Sequence, residues 1–154
     1  MKILATVDGS ELSESILGPL QKLAASCGMA TIRLISVLDP ADIPSLATAP
    51  MVGGGASPRG EKVADTERRL LGEIGARLQE LAETLRAEKL EVETAVLTGK
   101  PFEAIEAEAR SFAPDLIAMA THGRSGIAEQ IMGSVTTRVL KAGLAPLFIV
   151  SPHQ

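Results

Sequence analysis

Aromatic side chains are nearly missing from this chain, which has three phenylalanines and neither tryptophan nor tyrosine. Any core must therefore be assembled from Leu, Ile, Val, Ala and Met. Cysteine is confined to Cys27, so no internal disulfide can form, and that residue reads as a small buried hydrophobe. Histidine occurs only at His122 and His153, with no cysteine cluster nearby, which argues against a zinc site of ordinary composition. The net charge of −4 leaves no electrostatic footprint for nucleic acid, and no basic cluster suggests a membrane surface. No apolar run approaches a membrane span, and the opening MKILATVDGS turns polar too soon for a signal peptide. These absences point to a cytoplasmic protein without membrane or nucleic-acid partners.

What is present suits one globular domain over residues 1–154, with 45% hydrophobic and 22% charged residues. Residues 2–7 (KILATV) read as a buried strand, closed by the turn chemistry of Asp8-Gly9-Ser10. Ser10 or Ser13 is positioned to cap the helix that follows, whose apolar positions are Leu12, Ile16, Leu20 and Leu23. Pro19 either kinks that helix or restarts it after Gly18, and Gly28 stops it. Residues 31–38 (TIRLISVL) have strand composition. Residues 40–60 are rich in Pro, Gly, Ala and Ser and read as a long mobile loop. Residues 61–88 carry Leu70, Leu71, Ile74, Leu78, Leu81 and Leu85 on one helical face. A strand at 90–97 follows, then a helix opened by Pro101 with Phe102, Ile105, Ala109 and Phe112 inward. Residues 115–120 form an apolar strand, 135–142 a helix stopped by Gly143, and 146–150 (PLFIV) a last strand. Strands alternating with helices predict an α/β fold: a single open five-stranded parallel sheet with helices on both faces, Rossmann-like. In such sheets ligands sit at the carboxyl ends of the strands, where the winding reverses.

The standard nucleotide signatures fail. The nearest approach to a phosphate-binding P-loop, Gly55 to Lys62, has Glu61 where lysine belongs, and no G-x-G-x-x-G or G-x-S-x-G occurs. A Ser-His-Asp triad from His122 has no motif behind it. The informative stretch is ATHGRSGIAEQIMGS, residues 120–134, between a strand and a helix. Its glycines let the backbone approach a ligand closely, and the helix start offers free N–H groups and partial positive charge. That chemistry suits the phosphates of a nucleotide. The bland reading is a loop and helix with incidental glycines.

The run Ala118-Met119-Ala120-Thr121-His122-Gly123-Arg124-Ser125-Gly126, followed by Met132-Gly133-Ser134-Val135, resembles the universal stress protein family. ATP-binding members of that family carry Gly-x2-Gly-x9-Gly-Ser/Thr, and this chain has Ala120-x2-Gly123-x9-Gly133-Ser134. Val7-Asp8-Gly9-Ser10, Ser36-Val37-Leu38-Asp39, Gly99-Lys100-Pro101 and the final PLFIV agree with it, so the likeness spans essentially the whole chain. The resemblance implies strand order 3-2-1-4-5 and a homodimer through Leu147–Val150, which an exposed edge strand favours. It implies that Asp8 hydrogen-bonds a ribose, its other role being to cap the first helix or turn. Thr6, Val7 and Val37 correspond to strand ends whose backbone meets adenine. Gly123, Gly133, Ser134 and Val135 correspond to the phosphate binders. Arg124 either helps neutralise phosphate or is a solvated charge, and His122 packs or hydrogen-bonds locally rather than acting as a base. Ala120 replaces the first motif glycine; its methyl either crowds the ribose or is harmless, and reduced room rather than lost binding is expected.

The function implied is an ATP-binding stress or signalling switch acting on an unknown protein partner, with Mg2+ held weakly at best by Asp8 and Asp39. ATP would order the 40–60 loop and the segment from Gly123 to Gly133. Hydrolysis is expected to be slow, because no general base and no metal-binding carboxylate pair can be named. The alternative is a nucleotide-free homodimeric interaction protein of the same fold, with Ala120 as the feature in its favour. A true ATPase is the third reading.

Overall fold

The computed structural model describes residues 1–44, 63–120 and 133–151. The elements in chain order are β1 (Lys2–Thr6), α1 (Glu11–Glu14), α2 (Leu17–Ser26), β2 (Thr31–Leu38), a 3-10 turn (Pro40–Asp42), α3 (Val63–Arg86), β3 (Glu91–Thr98), α4 (Pro101–Phe112), β4 (Leu116–Ala120), α5 (Ser134–Ala142) and β5 (Leu147–Val150). The five strands form one parallel sheet in the order β3-β2-β1-β4-β5, as expected.

Alternation along each strand sends side chains to two faces. Ile3, Ala5, Ile32, Leu34 and Ala118 point to one face and are covered by α2 and α3 through Leu20, Ala24, Leu78, Leu81 and Leu85. Leu4, Ile35, Ile117 and Met119 point to the other, covered by α4 and α5 through Ile105, Ala109, Phe112 and Val139. Both cores are almost wholly aliphatic. β1 lies at the centre, with Ala5 opposite Leu34 on one side and Ala118 on the other.

The predicted first helix is two helices. It breaks at Ser15 and Ile16 rather than at Gly18, and Pro19 lies in the first turn of α2, where its missing N–H has no intrahelical acceptor to lose. Ser10 caps α1, its Oγ accepting from the Ser13 N–H at 3.1 Å. Arg77 of α3 reaches Glu14 at 2.6 Å and so ties this short helix to the long one. Gly28 (φ +78°) and Gly143 (φ +62°) close their helices in the left-handed region, where a side chain is strained.

The expectation for Cys27 is corrected. Cys27 is exposed, not buried. α2 ends at Ser26, and the chain from Ala25 to Met29 runs outside the core until Ala30 re-enters it. The loop expected over 40–60 starts as structure: Asp39 caps the 3-10 turn through Ala41 N–H at 2.9 Å, and Ile43 is buried with Leu38 and Leu70. Residues 45–60 lie outside the described residues.

Leu34 is fully buried in β2 and Met29 is 89% exposed. Leu34→Ala should lower the unfolding free energy by about 2–5 kcal/mol and Met29→Ala by less than about 0.5 kcal/mol, both read from urea titrations.

Candidate functional site

A cavity of about 320 Å³ opens at the carboxyl ends of β1, β2 and β4. Thr6 and Val7 of β1 and its end, Ile35 and Val37 of β2, and Met119 and Ala120 of β4 form its floor. Pro101 and Ile105 of α4 form one wall, and Gly133, Ser134, Val135 and Thr136 at the start of α5 form another. The cavity lies where the winding reverses between β1 and β4. Its size is that of a small-molecule pocket, about 300–1,000 Å³.

The structure thus brings together Thr6, Val7, Asp8, Val37, Ala120, Gly133, Ser134 and Val135, eight of the eleven positions singled out in the sequence. His122, Gly123 and Arg124 lie outside the described residues.

Each member has a local cause. Asp8 follows β1 directly, and Gly9 turns the chain with φ +79°. The Asp8 carboxylate is held by its own turn: Oδ1 accepts from the Ser10 N–H at 3.0 Å and from the Ser10 hydroxyl at 2.6 Å. The capping role and a place in the cavity therefore coexist in one residue. Val7 N–H donates to the Ile35 carbonyl at 2.9 Å, which continues the β1–β2 pairing into the cavity floor. Gly133 is the cap residue of α5 and makes no side-chain cap hydrogen bond, and none is seen from the other described residues. The N–H groups of its first turn therefore lack an intrahelical acceptor and face the cavity end of the helix. Gly133 has an ordinary φ of −57°. A Cβ there would meet nothing within 4 Å among the described residues. Neither backbone nor packing among those residues requires glycine.

Ala120 belongs to β4, whose extended backbone alanine adopts without strain. Its methyl packs with the cluster behind the sheet, the one containing Ala118 and Val150. The pleat sends Met119 forward and Ala120 backward, so residue 120 offers mainly backbone to the cavity.

Ser13, Ile35, Pro101, Ile105, Met119 and Thr136 also line the cavity but were not singled out beforehand. Pro101 and Ile105 read from sequence as a helix start and a core position; only the topology shows that this helix walls the site. Thr136 and Ser13 are buried hydroxyls, which no spacing rule flags.

The two walls are joined outside the cavity. Arg138 of α5 bonds Glu103 of α4 at 3.1 Å and lies over the Phe102 ring at 4.1 Å. Its own backbone N–H, and then the Arg138 guanidinium, hold the Glu103 carboxyl below its ordinary value of 4.5. A depressed carboxyl stabilises the fold above the unfolded pKa and loses that contribution as pH falls through the folded one. Glu103→Gln should therefore be less thermostable than the parent at pH 7, and the gap should close below pH ~4 in melting curves.

Comparisons with known proteins agree with this fold. Residues 1–151 match the model of the universal stress protein family. A universal stress protein of Mycolicibacterium smegmatis is 28% identical over 153 residues, covering 99% of this chain but 46% of its own length. The chain thus spans less than half of that relative. Universal stress protein YxiE of Bacillus subtilis is 29% identical, with 97% of each chain covered. Among solved structures, hypothetical protein MJ0577 superposes with a TM-score of 0.77 at 24% identity, covering 99% of this chain and 96% of its own. A universal stress protein in complex with cAMP (TM-score 0.60, 19% identity, 99% and 98% covered) shares the fold. So does a family protein from Arabidopsis thaliana with AMP bound (0.61, 18%, 99% and 92%). At these identities the structural likeness concerns the fold.

Proposed function

The chain belongs to the universal stress protein family, and from that premise we propose that it binds ATP in the cavity between β1, β4 and α5 and acts as a nucleotide-dependent switch in a stress response. The observation that carries the reading is Gly133. It is a glycine that neither the backbone nor the described packing requires, at the start of a helix that walls a cavity at the switch point. Helix N-termini of this kind favour phosphate through free N–H groups and the helix dipole. The residues present fit the group. Asp8 would accept hydrogen bonds from the ribose hydroxyls, the strand ends at Val7 and Val37 would meet the base, and Gly133, Ser134 and Val135 would hold phosphate. Arg124, Gly123 and His122 belong to the proposed phosphate loop by motif alone. Relatives of the same fold carry AMP or cAMP, which supports an adenine nucleotide.

Asp8 is the one carboxylate among the described lining residues. Asp39 is not among them and serves as a cap. Mg2+ would therefore arrive with the phosphates rather than in a protein cage. Binding, not turnover, is the proposed signal, read by a protein partner at the surface around the starts of α4 and α5. Among the described residues no helix is long and apolar enough to cross a membrane.

The proposal extends to a homodimer. β5 is an outer strand of the sheet, with all four residues half-buried in the single chain. Pairing of this edge with a second copy would complete its burial. Ile149→Lys should weaken self-association at least about tenfold, read by light scattering across a dilution series.

The decisive experiment is a denaturing extraction of freshly purified protein, followed by mass spectrometry of what is released. A stoichiometric amount of ATP or ADP is expected; with no Trp or Tyr present, bound adenine also dominates the near-ultraviolet absorbance. Gly133→Val should lose the nucleotide, with affinity down at least about tenfold by calorimetry, and an unchanged circular dichroism spectrum. Ala120→Gly should bind as the parent does. A protein that emerges empty and ignores added MgATP would reject the reading and leave a nucleotide-free interaction protein. Phosphate release proportional to protein and abolished in Gly133→Val would instead make it an ATPase.

A further inference from the structure

Within this proposed site, two serines outside the family motif's phosphate arm are built around Asp8. The Ser10 hydroxyl donates to Asp8 Oδ1 at 2.6 Å and accepts from the Ser13 N–H at 3.1 Å. The Ser13 hydroxyl donates to the Ser10 carbonyl at 2.9 Å and accepts from the Asp8 N–H at 3.1 Å. Each hydroxyl is thus used once as donor and once as acceptor, and the set closes on itself around residue 8. Ser13 is 7% exposed and lines the cavity, yet its hydroxyl is committed to backbone groups on either side of the turn. Gly9, at φ +79°, makes the turn that permits this closure.

A strand-end aspartate would otherwise sample several rotamers. Here the Ser10 hydroxyl and N–H fix one carboxylate oxygen, and with it the plane of the group. An ionised carboxylate is acceptor-only. Donors that could meet it on an adenine nucleotide are the two ribose hydroxyls and the exocyclic amino group; in the reading above the base and phosphates would lie against other walls, which leaves the ribose hydroxyls for Asp8. We propose that Ser10 is a positioning residue that sets the selectivity of the site for an intact ribose, by orienting Asp8 through its hydroxyl, with Ser13 holding Ser10 in place. The inference rests on the nucleotide-binding reading above.

The test compares two ligands on one set of variants. Affinities for ATP and for 2′,3′-dideoxy-ATP are measured by calorimetry on the parent, Ser10→Gly, Ser10→Thr and Asp8→Asn. Glycine removes the hydroxyl but is tolerated at a helix cap, where alanine is poor, so folding is spared. The Ser10 backbone N–H still reaches Asp8 in both Ser10 variants, so the loss is partial. The parent should prefer ATP over the dideoxy compound by about tenfold or more. Ser10→Gly should lose about fivefold for ATP and little for the dideoxy compound, so the preference shrinks. Ser10→Thr, which keeps the hydroxyl, should restore it, and Asp8→Asn should abolish it.

Equal losses for both ligands in Ser10→Gly would mean a merely structural serine and overturn the proposal. So would a parent that binds the two ligands equally, while leaving nucleotide binding intact. A parent that binds neither ligand would reject the nucleotide reading itself, and this inference with it.

Discussion

Between β1 and β4 the chain reverses the direction in which it lays strands into the sheet, and the rest of the molecule is arranged around that reversal. Crossovers carry the chain outward from β1 to β2 and β3, and then, after the return to β4, outward the other way to β5. The connections therefore diverge above the carboxyl ends of the two central strands. Among the described residues a crevice forms there as a consequence of chain direction rather than of any particular side chain. The cavity bounded by Thr6, Val7, Met119, Ala120 and the start of α5 is that crevice. Side chains then decide what the crevice can hold.

The pleat of the sheet divides labour between neighbours in sequence. Met119 faces the cavity side, while Ala118 and Ala120 pack behind the sheet with β5 and the α2–α3 layer. Small residues at 118 and 120 suit the crowded centre of a sheet covered on both faces. A substitution in a glycine motif is often judged by added volume alone. At position 120 the direction of the added methyl matters more than its size, because it goes into a core that accommodates it. The scarcity of aromatics has a related effect. With the two cores built from Leu, Ile, Val and Ala, the described rings near α4 are Phe102 and Phe112. Both serve as platforms for arginines, Arg138 and Arg33, at 4.1 Å.

Much of this was legible in the sequence, because it follows from period and punctuation. Buried parallel strands read as apolar runs, α3 and α4 as amphipathic periods, and Gly28 and Gly143 as stops, since their positive φ leaves few alternatives. The strand order came from family likeness, as did the grouping of Asp8, Val37 and Gly133. What was not legible depends on distant partners. The break at Ser15 is sustained by the Ser10–Ser13 caps and by Arg77 reaching Glu14 across 63 positions of sequence. Cys27 has the composition of a core residue, but the helix stops before it and the chain leaves the core. Ile43 looks like loop because Pro, Ala and Ser surround it; its burial depends on Leu70, a residue of α3. Thr136 and Ser13 face the cavity only because two helices start beside it.

Asp8 connects these levels. The same carboxylate that closes the turn after β1 stands in the cavity, and the helix that follows is only four residues long. Helices of that length have no stability of their own. α1 is held by the Ser10 cap, by the Ser13 hydroxyl and by the Glu14–Arg77 pair. A ligand that draws on Asp8 therefore bears on the same hydrogen bonds that hold α1, and through Glu14 on α3. Linkage makes the dependence mutual: to whatever extent occupancy shifts the stability of α1, the stability of α1 shifts the affinity of the site. In a fold whose remaining walls are strand ends and helix starts fixed by the sheet, this turn is where occupancy and local folding share one set of bonds.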